Sequence, residues 1–232
     1  MTTPPQFDRG TDRQTDHAIL FDMDGVILEG RGSDPIVHSH ALEDVIDDLD
    51  LDLDQEHLDT LERYEYTAAF EAACETIGID PVSFYKRREE YSATHIIDRI
   101  RAGKRELYPD VDAIESLQER CLTGLVSNNY DPAVSFVVNH FELDTFSFVR
   151  GRDLGVEGFR RRKPEPYYLQ EALETLDVSD GWYVGDRETD LVAAERAGLR
   201  PVFVRRAHNA TVEPDLEAYT EVQSLSELTD LV

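Results

Sequence analysis

Two aspartates, Asp22 and Asp24, flank Met23 in "ILFDMDGV" (residues 19–26), where a short apolar run ends. Carboxylates that close repel each other, and holding both at the end of a buried strand is costly without a compensating charge. A metal ion with a phosphate beside it supplies that compensation. Three later segments carry the remaining groups of such a site: "VSNN" (126–129), "RRRKPEP" (160–166) and "VGDRETD" (184–190). Together they offer four aspartates (Asp22, Asp24, Asp186 and Asp190), one lysine (Lys163), the hydroxyl of Ser127 and the amide of Asn128. Hard oxygen ligands at this density suit Mg²⁺, which takes one or two carboxylates, water and substrate phosphate. Lys163, Ser127 and Asn128 are then candidates to bind the phosphate oxygens that the metal leaves free.

These groups lie up to 168 residues apart, so the fold must bring them together. Five β-favouring apolar runs stand out, at 18–22, 123–128, 146–151, 182–186 and 201–206. Their short, continuous character suits strands covered on both faces. Helical patterns at 110–121, 131–140, 165–177 and 188–198 alternate with the later runs, with Asp131-Pro132 as a helix start and Gly198 as a stop. Strand–helix alternation implies an α/β fold, a Rossmann-like open parallel sheet flanked by helices. Ligands in such sheets bind beyond the carboxyl ends of the strands, where the four segments fall. From residue 33 to 105 the pattern is helical only, with 57–78 at helical spacing and 81–103 opening at Pro81 and closing at Gly103. This predicts an inserted all-helical cap over 33–105, on a core formed by 1–32 and 106–232. The tail 209–232 reads as one or two short helices, and the first 16 residues as frayed.

The four segments, in this order and each at a strand end, resemble the haloacid dehalogenase superfamily, specifically its phosphatase branch with a helical cap after the first strand, similar to phosphoglycolate phosphatases. The resemblance runs from about residue 17 to 206. It implies that Asp22 is a nucleophile forming an aspartyl-phosphate. Asp24 would protonate the leaving oxygen and then activate water. Ser127 and Lys163 would orient and neutralise the phosphoryl group, and Asp186 and Asp190 would hold Mg²⁺. Asp24 separates the phosphatase branch from dehalogenases, which lack an acid there, but sugar phosphomutases keep it. A phosphomutase, or a phosphate-binding regulatory protein without turnover, is the alternative. Arg187 stands where the resemblance more often has serine.

Each group also has a plainer reading. The aspartate pair can be a strand-end turn, Ser127 and Asn128 a helix cap before Pro132, and Lys163 a surface cation. Arg160, Arg161 and Arg162 read as a solvated loop paired with surface acid. His38 and His40, two apart, diverge on a helix and do not make a metal site. Tyr64, Tyr66, Tyr85 and Tyr91 read as packing within the cap, and Trp182 as core.

Composition sets the limits. At 232 residues with 41% apolar and 9% aromatic content, the chain suits one sizeable domain with an insertion. Forty-nine acidic residues against 23 basic ones give a formal net charge of -26, and the basic set holds only three lysines, Lys86, Lys104 and Lys163. Acid spread along the whole chain, with arginine preferred over lysine, looks like proteins of salt-loving archaea, where salt screens the self-repulsion. It argues against nucleic-acid binding, since phosphate backbones are repelled. No apolar run approaches the length that spans a bilayer, and the polar start is unlike a targeting peptide. Cys74 and Cys121 imply no disulfide framework. The expectation is a cytoplasmic, Mg²⁺-dependent enzyme whose partner is a small phosphorylated metabolite, with no nucleic acid and no membrane.

Overall fold

The computed structural model describes residues 16–32 and 34–232. The fraying expected of the first residues lies outside that range for 1–15. Six parallel strands form one sheet in the order β3-β2-β1-β4-β5-β6. They are β1 (His17–Phe21), β2 (Leu122–Tyr130), β3 (Phe148–Arg152), β4 (Asp180–Gly185), β5 (Arg200–Val204) and β6 (Thr220–Val222). β1 lies at the centre, with Leu20 opposite Gly124 of β2 and Tyr183 of β4. Alternation along β1 feeds both faces: Ile19 and Phe21 join one apolar cluster, Ala18 and Leu20 the other. None of the four exposes any surface. That explains why β1 reads as a continuous apolar run.

Helices α1 (Ile36–Asp48), α2 (Gln55–Glu62), α3 (Ala68–Thr76) and α4 (Pro81–Arg101) fill the connection from β1 to β2. They gather their own apolar cluster around Leu61, Phe70, Phe84 and Tyr85. A single bridge pairs Leu28 with Leu107 where the chain leaves the sheet and returns to it. Helix α4 starts as its sequence dictates, with the Asp80 carboxylate accepting from Ser83 N at 2.8 Å and Pro81 in the first turn. Helices α5 (Ala113–Leu117), α6 (Asp131–His140), α7 (Val156–Arg161), α8 (Tyr167–Leu176) and α9 (Glu188–Ala197) complete the layers around the sheet. Among the described residues no helix is long and apolar enough to cross a membrane. Both cysteines are buried and free.

Two elements differ from the sequence reading. The pattern over 57–78 is broken between α2 and α3, because Arg88 of α4 donates to the carbonyls of Leu61 (2.5 Å), Glu62 (2.9 Å) and Arg63 (3.1 Å) and so caps α2. Thr67 then starts α3 by accepting from Phe70 N. In the tail, β6 pairs with β5 through Val202–Thr220 and Val204–Val222, and a 3₁₀ segment, Leu225–Asp230, follows in place of a helix. Three residues with one buried side chain carry no readable strand signal; the open edge of β5 makes them a strand.

Candidate active site

The first pair is placed by β1 and the turn that ends it. Asp22 N donates to Val184 O at 2.9 Å, extending the sheet one residue past the strand. Met23 points into the core while Asp22 and Asp24, alternating with it, line a common cavity. Gly25 then turns with φ +82°, and a Cβ there would stand 2.3 Å from Asp186 Oδ2. Both the left-handed conformation and that close approach require glycine.

Lys163 is the hub of the buried charges. Its Nζ lies 2.8 Å from Asp22 Oδ1 and 2.7 Å from Asp190 Oδ1, and donates to Tyr183 OH at 2.5 Å. Tyr183 OH in turn donates to Val126 O at 2.7 Å, which fixes the hydroxyl with a lone pair toward the lysine. The Asn128 side chain holds the lysine backbone from both sides, accepting from Lys163 N (2.8 Å) and donating to Lys163 O (3.1 Å). Burial opposes the lysine charge, yet Asp190 and Asp22 outweigh it and the pKa is raised. The ammonium is therefore a fixed positive charge.

Asp190 sits in the first turn of α9, where its Oδ2 accepts from Asp186 N (3.2 Å) and Arg187 N (3.1 Å). Asp186 follows β4. Its Oδ2 is paired with His208 Nε2 at 2.6 Å, while Asn209 Nδ2 donates to its carbonyl at 3.0 Å. Asp186 Oδ1 is buried without a hydrogen-bond partner, and Asp22 Oδ1 has only the ion-pair contact with Lys163. One oxygen from each of Asp22, Asp186 and Asp190 falls within 4.8 Å of the others. Three carboxylates face one lysine. Burial, then the neighbouring Asp190 and Asp22, push Asp186 up to about 8; burial pushes Asp22 up to about 6 despite Lys163. Orphaned oxygens and excess acid together fit a hard divalent cation.

Of the predicted residues, Asp22, Lys163, Asp186 and Asp190 converge, and Ser127 is buried on the same cavity. Asp24, expected among the metal ligands, has its side chain outside the three-carboxylate group. Its Oδ1 is 2.5 Å from Arg105 Nη1 and its Oδ2 accepts from Asn129 Nδ2 at 3.0 Å. Asn128, expected to bind substrate, has both functions of its amide on the Lys163 backbone. The sequence reading missed Arg105, Asn129, Tyr183 and His208. Asn129 alone left a trace, as the second asparagine of "VSNN". Tyr183 directly precedes "VGDRETD" but reads only as part of a buried strand, while Arg105 and His208 lie outside the motifs and meet them only through the fold.

The cavity, about 230 Å³, runs from these residues toward the helical insertion. His38, read only as no part of a metal site, and Tyr64, read as packing, line its far side with Tyr130 of β2. The His38 and Tyr64 rings lie 4.3 Å apart, and His38 Nδ1 is 3.3 Å from Ser92 Oγ. His40 does not join His38; its ring lies against His95. Tyr66 and Tyr85 pack edge to face, and Arg160 is paired with Glu157 at the surface.

Comparisons with known proteins agree with this arrangement. A phosphoglycolate phosphatase of Rhodobacter capsulatus is 30% identical over 129 residues, which is 54% of this chain and 57% of that protein, so the match spans little more than half of its length. The CbbY protein of Rhodobacter sphaeroides, solved with phosphate, shares the fold at TM-score 0.60 and 21% identity, over 91% of this chain and 95% of that one. A crystal structure described as a phosphoglycolate phosphatase of Lactobacillus delbrueckii subsp. bulgaricus does so at TM-score 0.58 and 21% identity, over 94% and 98%. The family model described as haloacid dehalogenase-like hydrolase matches residues 17–198, which hold Asp22, Ser127, Lys163, Asp186 and Asp190 in order. The chain belongs to the haloacid dehalogenase-like hydrolase family.

Proposed function

We propose that the protein is a Mg²⁺-dependent phosphatase of small phosphorylated metabolites, working through an aspartyl-phosphate on Asp22. The observation that carries this reading is the set of contacts at Lys163, with Asp22 and Asp190 at 2.8 and 2.7 Å and Asp186 completing the three-carboxylate group. Asp22, Asp186 and Asp190 would hold the cation, which supplies charge neutralisation for a phosphate that an anionic nucleophile must approach.

In the first step an Asp22 oxygen forms a bond to phosphorus and the bond to the leaving oxygen breaks. Asp24 gives that oxygen its proton. In the second step water attacks the same phosphorus, Asp24 takes the proton, and orthophosphate leaves with Asp22 restored. Lys163 and Ser127 face the phosphoryl oxygens throughout. Arg105 and Asn129 hold the Asp24 carboxylate between turns, and Tyr183 with Asn128 keeps Lys163 on its target. Residues 33–105 act as the cap that excludes water and selects the leaving group.

Phosphate release from a panel of monoesters, with Mg²⁺ in molar salt, tests the reading. Asp22→Asn abolishes release while the fold remains; near-normal turnover in that variant removes Asp22 as nucleophile. Phosphoryl transfer within a hexose phosphate, with no free phosphate, identifies a phosphomutase instead.

A further inference from the structure

The mouth of the cavity carries two cations that the phosphatase chemistry above leaves without a task. Arg31 lies on the connection from β1 to α1, and Arg187 lies between β4 and α9; both line the cavity. The other cations nearby have close carboxylate partners: Lys163 faces Asp22 and Asp190, and Arg105 faces Asp24. Arg31 makes no ion pair among the described residues, and the nearest carboxylate contact of Arg187 is a long one, 3.8 Å to Asp186 Oδ1. Their loops meet at the mouth, since a Cβ on Gly32, next to Arg31 in the chain, would stand 3.2 Å from Arg187 Nη2. Two arginines without close acid partners are notable in a chain with 49 acidic and 23 basic residues.

Resting on the phosphatase reading, we propose that Arg31 and Arg187 select substrates whose leaving group carries a second anion, a carboxylate or a further phosphate, on a short chain. Guanidinium groups suit both anions, since each offers paired N–H donors to two oxygens. The length follows from the cavity: about 230 Å³ is below the size that drug-sized ligands occupy, and the phosphoryl end takes part of it. The far wall adds no charge of its own. His38 is held neutral at pH 7, since burial, Arg88 and Arg152 push it down to about 4. Tyr64 and Tyr130 have their hydroxyls hydrogen-bonded to each other at 2.7 Å. Selection by tail charge therefore falls to the two arginines.

A matched series tests this: 2-phosphoglycolate, 2-hydroxyethyl phosphate and phosphoethanolamine differ in tail charge on one two-carbon skeleton. The bisphosphate of ethylene glycol separates a second phosphate from a carboxylate. With Mg²⁺, kcat/KM falls from anionic to neutral to cationic tail, the first step being about 10- to 100-fold. In the Arg31→Gln/Arg187→Gln double variant that ratio collapses, chiefly through KM for the anionic substrates, and Arg31→Lys retains part of it. If the arginines instead hold the transferring phosphoryl group, the wild-type protein is indifferent to tail charge. That result, or a wild-type ratio surviving in the double variant, overturns the inference and leaves the phosphatase reading standing. No phosphate release from any of the four, nor from p-nitrophenyl phosphate, overturns the phosphatase reading itself.

Discussion

Two clusters of buried charge lie on either side of one cavity, and they are built on opposite principles. At the strand tips, three carboxylates gather around a single lysine and Asp186 Oδ1 has no hydrogen-bond partner. Between α4 and the end of β3, Glu89 and Arg152 form a one-to-one pair with 0% and 2% of their side chains exposed. Every oxygen of Glu89 is occupied there. Oε1 accepts from Arg152 Nη2 (2.5 Å) and Tyr64 OH (3.3 Å), and Oε2 from Arg152 Nη1 (3.1 Å) and Gly155 N (2.5 Å). Tyr64 OH passes the network on to Tyr130 OH. A balanced, saturated network stabilises a joint between the helical insertion and the sheet. An acidic, unsaturated one is unstable as it stands and is prepared for a cation. Burial alone does not mark a functional site; unmet valence does.

Removing a carboxylate should therefore have opposite effects on stability in the two clusters. Asp186→Asn relieves the excess acid, so the cation-free protein melts at a higher temperature while Mg²⁺-dependent turnover falls by roughly 10²- to 10³-fold. Glu89→Gln leaves Arg152 buried without its counter-charge and costs about 3–5 kcal/mol of stability. Replacing Glu89 and Arg152 together by apolar residues costs less than either single change. Thermal and denaturant melts with and without Mg²⁺ check both, and losses of equal sign in the two single variants would break the distinction.

The two clusters were unequally legible in the sequence. Asp22 and Asp186 could be found because each directly follows a strand whose apolar run is plain, and Lys163 and Asp190 because they lie in the segments that leave such strand ends, which a parallel sheet forces together. The Glu89–Arg152 joint gave no signal. Glu89 lies among other charges in "KRREE", and Arg152 ends a short strand, so only the docking of α4 on β3 brings them together. Tertiary capture also hid the break between α2 and α3, since the capping group, Arg88, lies 25 residues beyond Arg63. The same holds for β6, whose partner strand rather than its composition defines it. Local pattern placed the elements, and long-range polar contacts supplied the corrections.

A titration of stability sharpens the difference further. In the cation-free protein Asp186, raised to about 8, and Asp22, raised to about 6, keep protons that the unfolded chain releases near pH 4. The folded state binds more protons across that window, so stability is greatest below about pH 4 on this account and is lost as pH rises through about 6 to 8. A divalent cation takes the place of those protons. Mg²⁺ should thus raise the melting temperature more at pH 8.5 than at pH 5.5, the gain growing with concentration above the dissociation constant. Equal gains at both values would detach the cation from Asp22 and Asp186.

The smallest expected effect separates holding a charge from supplying one. Tyr183→Phe removes the hydroxyl between Lys163 Nζ and Val126 O while keeping the ring in the core. Lys163 retains Asp22 and Asp190, so the charge stays and only its direction loosens. Stability falls by about 1 kcal/mol, the usual net worth of one hydrogen bond. Turnover falls by roughly tenfold with KM little changed, because positioning acts on the transition state more than on binding. Lys163→Met removes the charge itself and costs far more, so comparing the two variants by kcat at saturating Mg²⁺ measures how much of the lysine's contribution is aim. If Tyr183→Phe matches Lys163→Met, the hydroxyl is part of the chemistry and not a guide for it.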